Sequence, residues 1–169
     1  MPLPHDLLEQ ARALARHEQG RGRPRQSSLR RSVSTAYYAT FHLLASDAAD
    51  QCAPGDPPGL RERVQRAIQH ETMKKAANSF GSANPPGHVR NLLQNPISTR
   101  LSALARSFAR LQDERHSADY DLADTFTRAR VQGLLREAES VFTEWRTLRN
   151  TSEGRVFLAS LMFWDRWSK

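Results

Sequence analysis

From Leu29 to Ala48 the chain places Leu29, Val33, Tyr37, Phe41, Leu44 and Ala48 three or four positions apart. In a helix that spacing gathers all six on one side, whereas a strand would scatter them over both faces. The register predicts a helix over about residues 28–51, and the same period recurs along the rest of the chain. Leu8, Ala11, Ala13 and Leu14 predict a first helix at 5–18, with Asp6 near its start. A third is expected at about 60–80, and a fourth from about 97 into RLQDERHSADYD (110–121). A fifth is expected at about 123–149, capped by Asp124, with Phe126, Leu134, Ala138, Val141, Trp145 and Leu148 facing inward. VFLASLMFWDRW, after NTSEG (150–154), is apolar almost all round and predicts a last, mostly buried helix. Its Trp164 and Trp167 cover either the core or a partner subunit.

Turn-forming residues punctuate this pattern. They fall in GRGRPRQSS (20–28), where Ser27 or Ser28 can cap the second helix, in CAPGDPPG (52–59) and in GSANPPG (81–87). The last opens a loop that ends near Asn95-Pro96. No segment alternates convincingly as a strand does. The expectation is one all-α domain over residues 1–169, an antiparallel bundle of five to six helices. Val33, Tyr37, Phe41, Leu104, Phe108 and Trp145 are its expected core.

A chain of 169 residues buries about 70% of its unfolded surface, so its core needs no disulfide or metal. Cys52 is the lone cysteine, which excludes an internal disulfide and a thiolate-rich zinc site, and it reads as a tolerated thiol in a loop. The histidines (His5, His17, His42, His70, His88, His116) include no HExxH and no paired spacing with cysteine. Phosphate-loop, GxSxG and dinucleotide fingerprints are missing too, so neither a metal nor a cofactor is expected. The segment MPLPHDLLEQARALAR lacks a long apolar core, and no apolar run reaches the roughly 20 residues of a membrane helix. No membrane partner is expected, and a reducing cytoplasm is the expected location.

The balance of charge is +7, and only Lys74, Lys75 and Lys169 among the 25 basic residues are not arginine. The planar fork of arginine suits phosphate, which raises the odds of a nucleic-acid partner. A codon bias toward Ala and Arg gives the same skew without function. Arg21-Gly22-Arg23-Pro24 matches the core of an arm that enters the DNA minor groove; a basic turn is the plainer reading.

Register sorts the polar residues of the fourth helix. Ile97, Leu101, Leu104, Phe108 and Leu111 form a stripe whose continuation is Arg115, Ala118 and Leu122. A guanidinium on a core-facing stripe needs a partner, and Asp119 stands four residues on. His116 falls in line with Ser98, Ser102, Ala105, Ala109 and Gln112, mostly small residues that let another helix or a second subunit approach. Arg110 lies on a third face, where Glu114 can pair with it, about 120° round the helix from His116. On the second helix, Arg31, Ser34, Tyr38 and His42 form a polar line. It is either a solvated face or a groove that binds phosphate and stacks a base.

RRSVSTAYYATFHLL (30–44) followed by RHSADYD (115–121) resembles the HEPN family, above all its small stand-alone branch. There an arginine-led AYYAxFH helix is paired with a later R-x-x-A-D-Y. The resemblance runs from about Arg30 to the tryptophan-bearing last helix, and it implies a helical bundle that commonly forms a homodimer. It also implies two classes of function. One is a metal-independent ribonuclease of a toxin–antitoxin or defence system. In it an Arg and a His, four to six residues apart, meet across a dimer; the arginine holds the scissile phosphate while the histidine moves a proton. Arg110 and His116 have that spacing, and Arg115 with His116 is the other catalytic pairing, with His42 alongside. Aligned on RHSADYD instead, Arg115 takes the arginine place and the histidine place falls on Tyr120, Asp121 or Leu122, which implies a changed or lost nuclease.

The second class is a non-catalytic HEPN module that binds nucleotide, RNA or a nucleotidyltransferase-like partner protein from a neighbouring gene. In a variant of it Tyr120 accepts a transferred nucleotide. Arg31, Ser34, Tyr38, His42, Asp119 and Tyr120 are the candidate nucleic-acid or nucleotide-binding residues. The expectation carried forward is a cytoplasmic HEPN-type protein that acts on or binds RNA.

Overall fold

The computed structural model of the protein describes residues 2–17, 22–55 and 58–167. Eight helices and no strand occur among them: α1 (Leu3–His17), α2 (Gln26–Cys52), α3 (Pro58–Ala67), α4 (His70–Gly81), α5 (Gly87–Arg90), α6 (Thr99–Tyr120), α7 (Arg128–Leu148) and α8 (Ser152–Trp167). The chain is all-helical, as the periodicity demands, but five to six helices become eight. Part of the difference is α5, a single turn in the loop after GSANPPG. The rest is a break at Ile68-Gln69 that divides the expected 60–80 helix. Nothing local in VQRAIQHETMKK marks that break, since it holds neither Gly nor Pro. Packing imposes it: α3 lies against α2, whereas α4 lies against α6 and α8.

Residue pairs between helices give their directions. Arg30 and Tyr38 of α2 meet Ala118 and Arg115 of α6, so these helices run antiparallel. Arg100, Arg110 and Arg130 face Glu144, Glu137 and Glu114, which sets α6 against α7 in the same sense. Lys74 meets Asp113, and Gly81 meets Ser102, so α4 also runs against α6. α2 is the central element, packed by α1, α3, α6, α7 and α8. Val33, Tyr37, Phe41, Leu104, Phe108 and Trp145 are all buried, and the Trp145 indole N–H donates to Asp47 at 2.7 Å.

Several details differ from the sequence reading. The small-residue line of α6 is covered by α4 of the same chain: Ser102 Oγ donates to the Gly81 carbonyl at 2.9 Å, and Ala105, Ala109 and Gln112 are buried. A Cβ on Gly81 would stand 2.8 Å from Arg106 Cγ, so the approach depends on that glycine. The line is therefore filled without a second subunit. Helix α2 begins at Gln26, with Arg25 rather than a serine at its N-cap. Helix α7 begins at Arg128, and its cap is Thr127, whose hydroxyl accepts from the Arg130 N–H at 3.2 Å. Cys52 ends α2 and is exposed rather than lying in the loop. In α8 Phe157, Leu158 and Leu161 are buried, Trp164 and Trp167 are partly buried against the core, and Phe163 is exposed. Arg21 of the basic turn lies outside the described residues, and the Gly22 carbonyl accepts from Arg128 at 2.7 Å. No helix among the described residues is long and apolar enough to cross a membrane.

Candidate functional site

The segment 115–124 is held by two arginines from outside it. Arg30, at the start of α2, donates to the carbonyls of Ala118 (3.0 Å), Asp121 (2.8 Å), Asp124 and, at 3.4 Å, Ser117. The last carbonyls of a helix lack partners within it, so one guanidinium caps the end of α6. Asp121 then turns the chain by accepting from the backbone N–H of Ala123 and Asp124. Arg130 reaches back from α7 to Asp124 (2.8 Å) and Glu114 (2.6 Å), and Ser117 Oγ donates to Asp124 at 2.6 Å. Arg130 and Ser117 hold the Asp124 carboxyl down at about 2. Phe126 is buried between the Arg130 and Arg30 guanidiniums, whose carbons stand 4.1 and 5.6 Å from its ring centre.

Arg115 is the centre of what this frame presents. Its side chain is 19% exposed, and its Nη2 donates to the Tyr38 hydroxyl at 2.7 Å. Nε stands 2.8 Å from Asp119 Oδ2, a charge contact that does not form a hydrogen bond. Three tyrosine rings surround the guanidinium carbon, Tyr38 at 5.3 Å, Tyr120 at 5.7 Å and Tyr37 at 6.0 Å. Burial opposes the charge, yet Tyr38, Asp119 and Tyr120 hold the proton on. Buried Ser34 donates to Asp119 Oδ2 at 3.4 Å, a weak bond. Tyr120 is 64% exposed, and the exposed His116 ring lies 5.0 Å from it.

Behind Tyr38 stand two imidazoles. The His42 ring stacks on Tyr38 at 6.3 Å and meets Phe41 edge-on at 5.3 Å. His70, the first residue of α4, lies over Phe41 at 4.0 Å, and its Nδ1 is 2.6 Å from the Tyr37 hydroxyl. Burial lowers the pKa of both; for His70, Arg115 and then His42 push the same way. Burial keeps the Tyr37 phenol protonated far above the usual range. His42 and His70 border one cavity of about 400 Å³. A larger cavity of about 810 Å³ opens beside α8, lined by Cys52, Ile68, Met162 and Phe163. It adjoins none of these tyrosines, and its carboxylate, Asp165, is engaged by Thr72 and Lys75.

The fold thus brings together Ser34, Tyr38, His42, Arg115, Asp119 and Tyr120, with His116 at the rim. It leaves out Arg31, which is exposed and joins none of these contacts, and Arg110. Arg110 pairs with Glu137 of α7 at 2.7 Å, not with Glu114, because Arg130 occupies Glu114. Arg110 and His116 do not converge within the chain. His70 and the polar end of Tyr37 are the residues that sequence reasoning missed. Their hydrogen bond spans 33 positions, and no spacing within one helix signals it. Among the described residues no group of three or more His, Cys, Asp or Glu side chains is placed to hold a metal ion. No family model matches the chain, and neither a curated protein nor a solved structure matches it.

Proposed function

We propose that the protein is a HEPN-type module that binds single-stranded RNA, taking a phosphate on Arg115 and stacking a base on the exposed ring of Tyr120. The observation that carries this reading is the state of Arg115. Its guanidinium is fixed by Tyr38 and ringed by tyrosines, yet faces one partly exposed carboxylate in imperfect geometry. A buried structural ion pair needs to be closed from solvent and fully hydrogen-bonded, which this one is not; a phosphate site needs a pre-aimed fork whose counter-ion can be displaced. Aromatic faces beside an arginine are what sequence-tolerant RNA binding uses. The net charge of +7 favours the same partner.

The reading favours binding over cleavage through Arg110 and His116, since Glu137 holds Arg110 on another face. A homodimer would draw on Leu122, exposed just beyond the end of α6. The test is fluorescence anisotropy with a labelled single-stranded RNA in EDTA, followed by a gel for cleavage. Arg115→Lys keeps the charge but loses the fork, and Tyr120→Ala loses the stacking face, so each should weaken binding about tenfold, while Arg110→Ala should not. Asp119→Asn removes the competing carboxylate and should tighten binding. If Arg115→Lys and Asp119→Asn both leave affinity at the wild-type value, Arg115 is only a structural cation. RNA cut by wild type but not by His116→Ala would restore the nuclease.

A further inference from the structure

We propose that the cavity between α2, α3 and α4 is a nucleobase pocket, in which His70 donates a hydrogen bond to the base and His42 lies against it. This rests on the RNA-binding reading and names which part of the nucleotide the cleft selects. Tyr37 sets the tautomer of His70. Its hydroxyl is buried, and a buried O–H without an acceptor is costly. The His70 Nδ1 at 2.6 Å is the acceptor in place, so Tyr37 donates and Nδ1 carries a lone pair. A neutral imidazole that accepts at Nδ1 holds its proton on Nε2. Because Nδ1 faces inward to Tyr37, the edge bearing Nε2–H is the one left for the cavity that His70 borders.

The rest of the lining fits a flat, polar-edged ring. Phe41, Ala45 and Ile68 give an apolar floor, His42 adds a second ring, and Gln65 stands at the edge with a side-chain amide. About 400 Å³ lies within the roughly 300–1,000 Å³ of small-molecule sites. The charged groups at the opening are Glu62 and Arg66 of α3, both largely exposed, so the interior is uncharged. Burial, Arg115 and His42 all keep His70 neutral, so a base is preferred there over a second phosphate. Tyr38 touches both the phosphate site and the cavity wall, because it holds Arg115 through its hydroxyl and His42 against its ring. A nucleotide with its phosphate at Arg115 would therefore have its base beside the histidines.

The experiment displaces a labelled single-stranded RNA from the full chain with nucleoside 5′-monophosphates or with ribose 5-phosphate. Wild type should prefer at least one nucleotide over ribose 5-phosphate by about tenfold or more, the scale of one base stack. His70→Phe keeps the ring but loses the donor, and should reduce that preference. Gln65→Trp fills the edge of the cavity from the surface and should abolish it, which keeps the test valid if His70→Phe does not fold. Ribose 5-phosphate should bind both variants as it binds wild type. Equal displacement by nucleotide and sugar phosphate in wild type, or a preference unchanged by both variants, overturns the pocket. Arg115→Lys separates the two readings: if it weakens both competitors while neither cavity variant matters, the phosphate site stands and the base pocket falls.

Discussion

A neutral imidazole in a folded protein leaves a mark on stability that can be read without any ligand. His42 and His70 both have folded pKa values below the ordinary imidazole value; they face each other, Tyr37, Tyr38, Phe41 and Arg115, with the exposed Glu62 and Arg66 at the opening of the cavity they border. The unfolded chain then binds protons that the folded chain refuses. No penalty exists above about pH 6.5; it grows as pH falls below that value and levels off below the folded pKa values. The urea midpoint should therefore rise with pH up to about pH 6.5 and level off above it, and His70→Gln should flatten part of the rise. A midpoint independent of pH through that range would mean that the two rings take up protons in the folded state as readily as in the unfolded chain. The base pocket would then lose the tautomer on which it depends. The same scale explains a difference between Arg110 and Arg115, five residues apart on α6. Arg110 finds a carboxylate on α7 in good geometry, whereas Arg115 finds a hydroxyl, three rings and a poorly aimed carboxylate.

At the scale of elements, the motif segment depends on a clamp supplied by another helix. Arg30 binds carbonyls on both sides of the end of α6, and a hydrogen bond to a charged group contributes about 1.5–3 kcal/mol. Arg30→Ala should loosen residues 117–124, seen as faster hydrogen exchange there, while α2 and α7 keep their protection. RNA affinity should fall too, although Arg30 itself need not touch RNA. Exchange unchanged over 117–124 would mean that Arg130 and Asp121 hold the turn unaided. Which elements the sequence revealed follows from the same physics. Helices α2 and α6 were legible because their apolar stripes run unbroken, and that register placed Arg115 against Asp119 correctly. The break at Ile68-Gln69 was not, because it answers to packing partners that no local pattern names. Helix α7 starts later than its sequence suggests, because Asp124 looks like a cap but is drawn away by Ser117 and Arg130, leaving Thr127 to cap. His70 is not legible in the sequence, because α4 must first be placed across α2 before its first side chain has neighbours.

Over the whole molecule, a net charge of +7 draws any polyanion at low salt, whichever surface it then meets. Attraction of that kind does not by itself show a site, so the field and the fork have to be separated. Each phosphate neutralised on a single strand contributes a slope of about −0.7 to log K against log salt. Arg115→Ala should make the slope shallower by about 0.7, one phosphate contact, and lower the affinity at every salt concentration. Arg115→Lys keeps the charge and so should keep the slope, yet bind more weakly, because an ammonium cannot grip two phosphate oxygens in one plane. Arg100 is the control. Its side chain is 67% exposed, and it stands 3.7 Å from Glu144, so Arg100→Ala changes the net charge by the same unit without touching the cleft. It should leave slope and affinity nearly as they are. Anisotropy titrations of the three variants over a range of KCl concentrations decide the matter. Equal losses for Arg100→Ala and Arg115→Ala would assign RNA binding to the charge of the whole surface and remove the cleft from the mechanism.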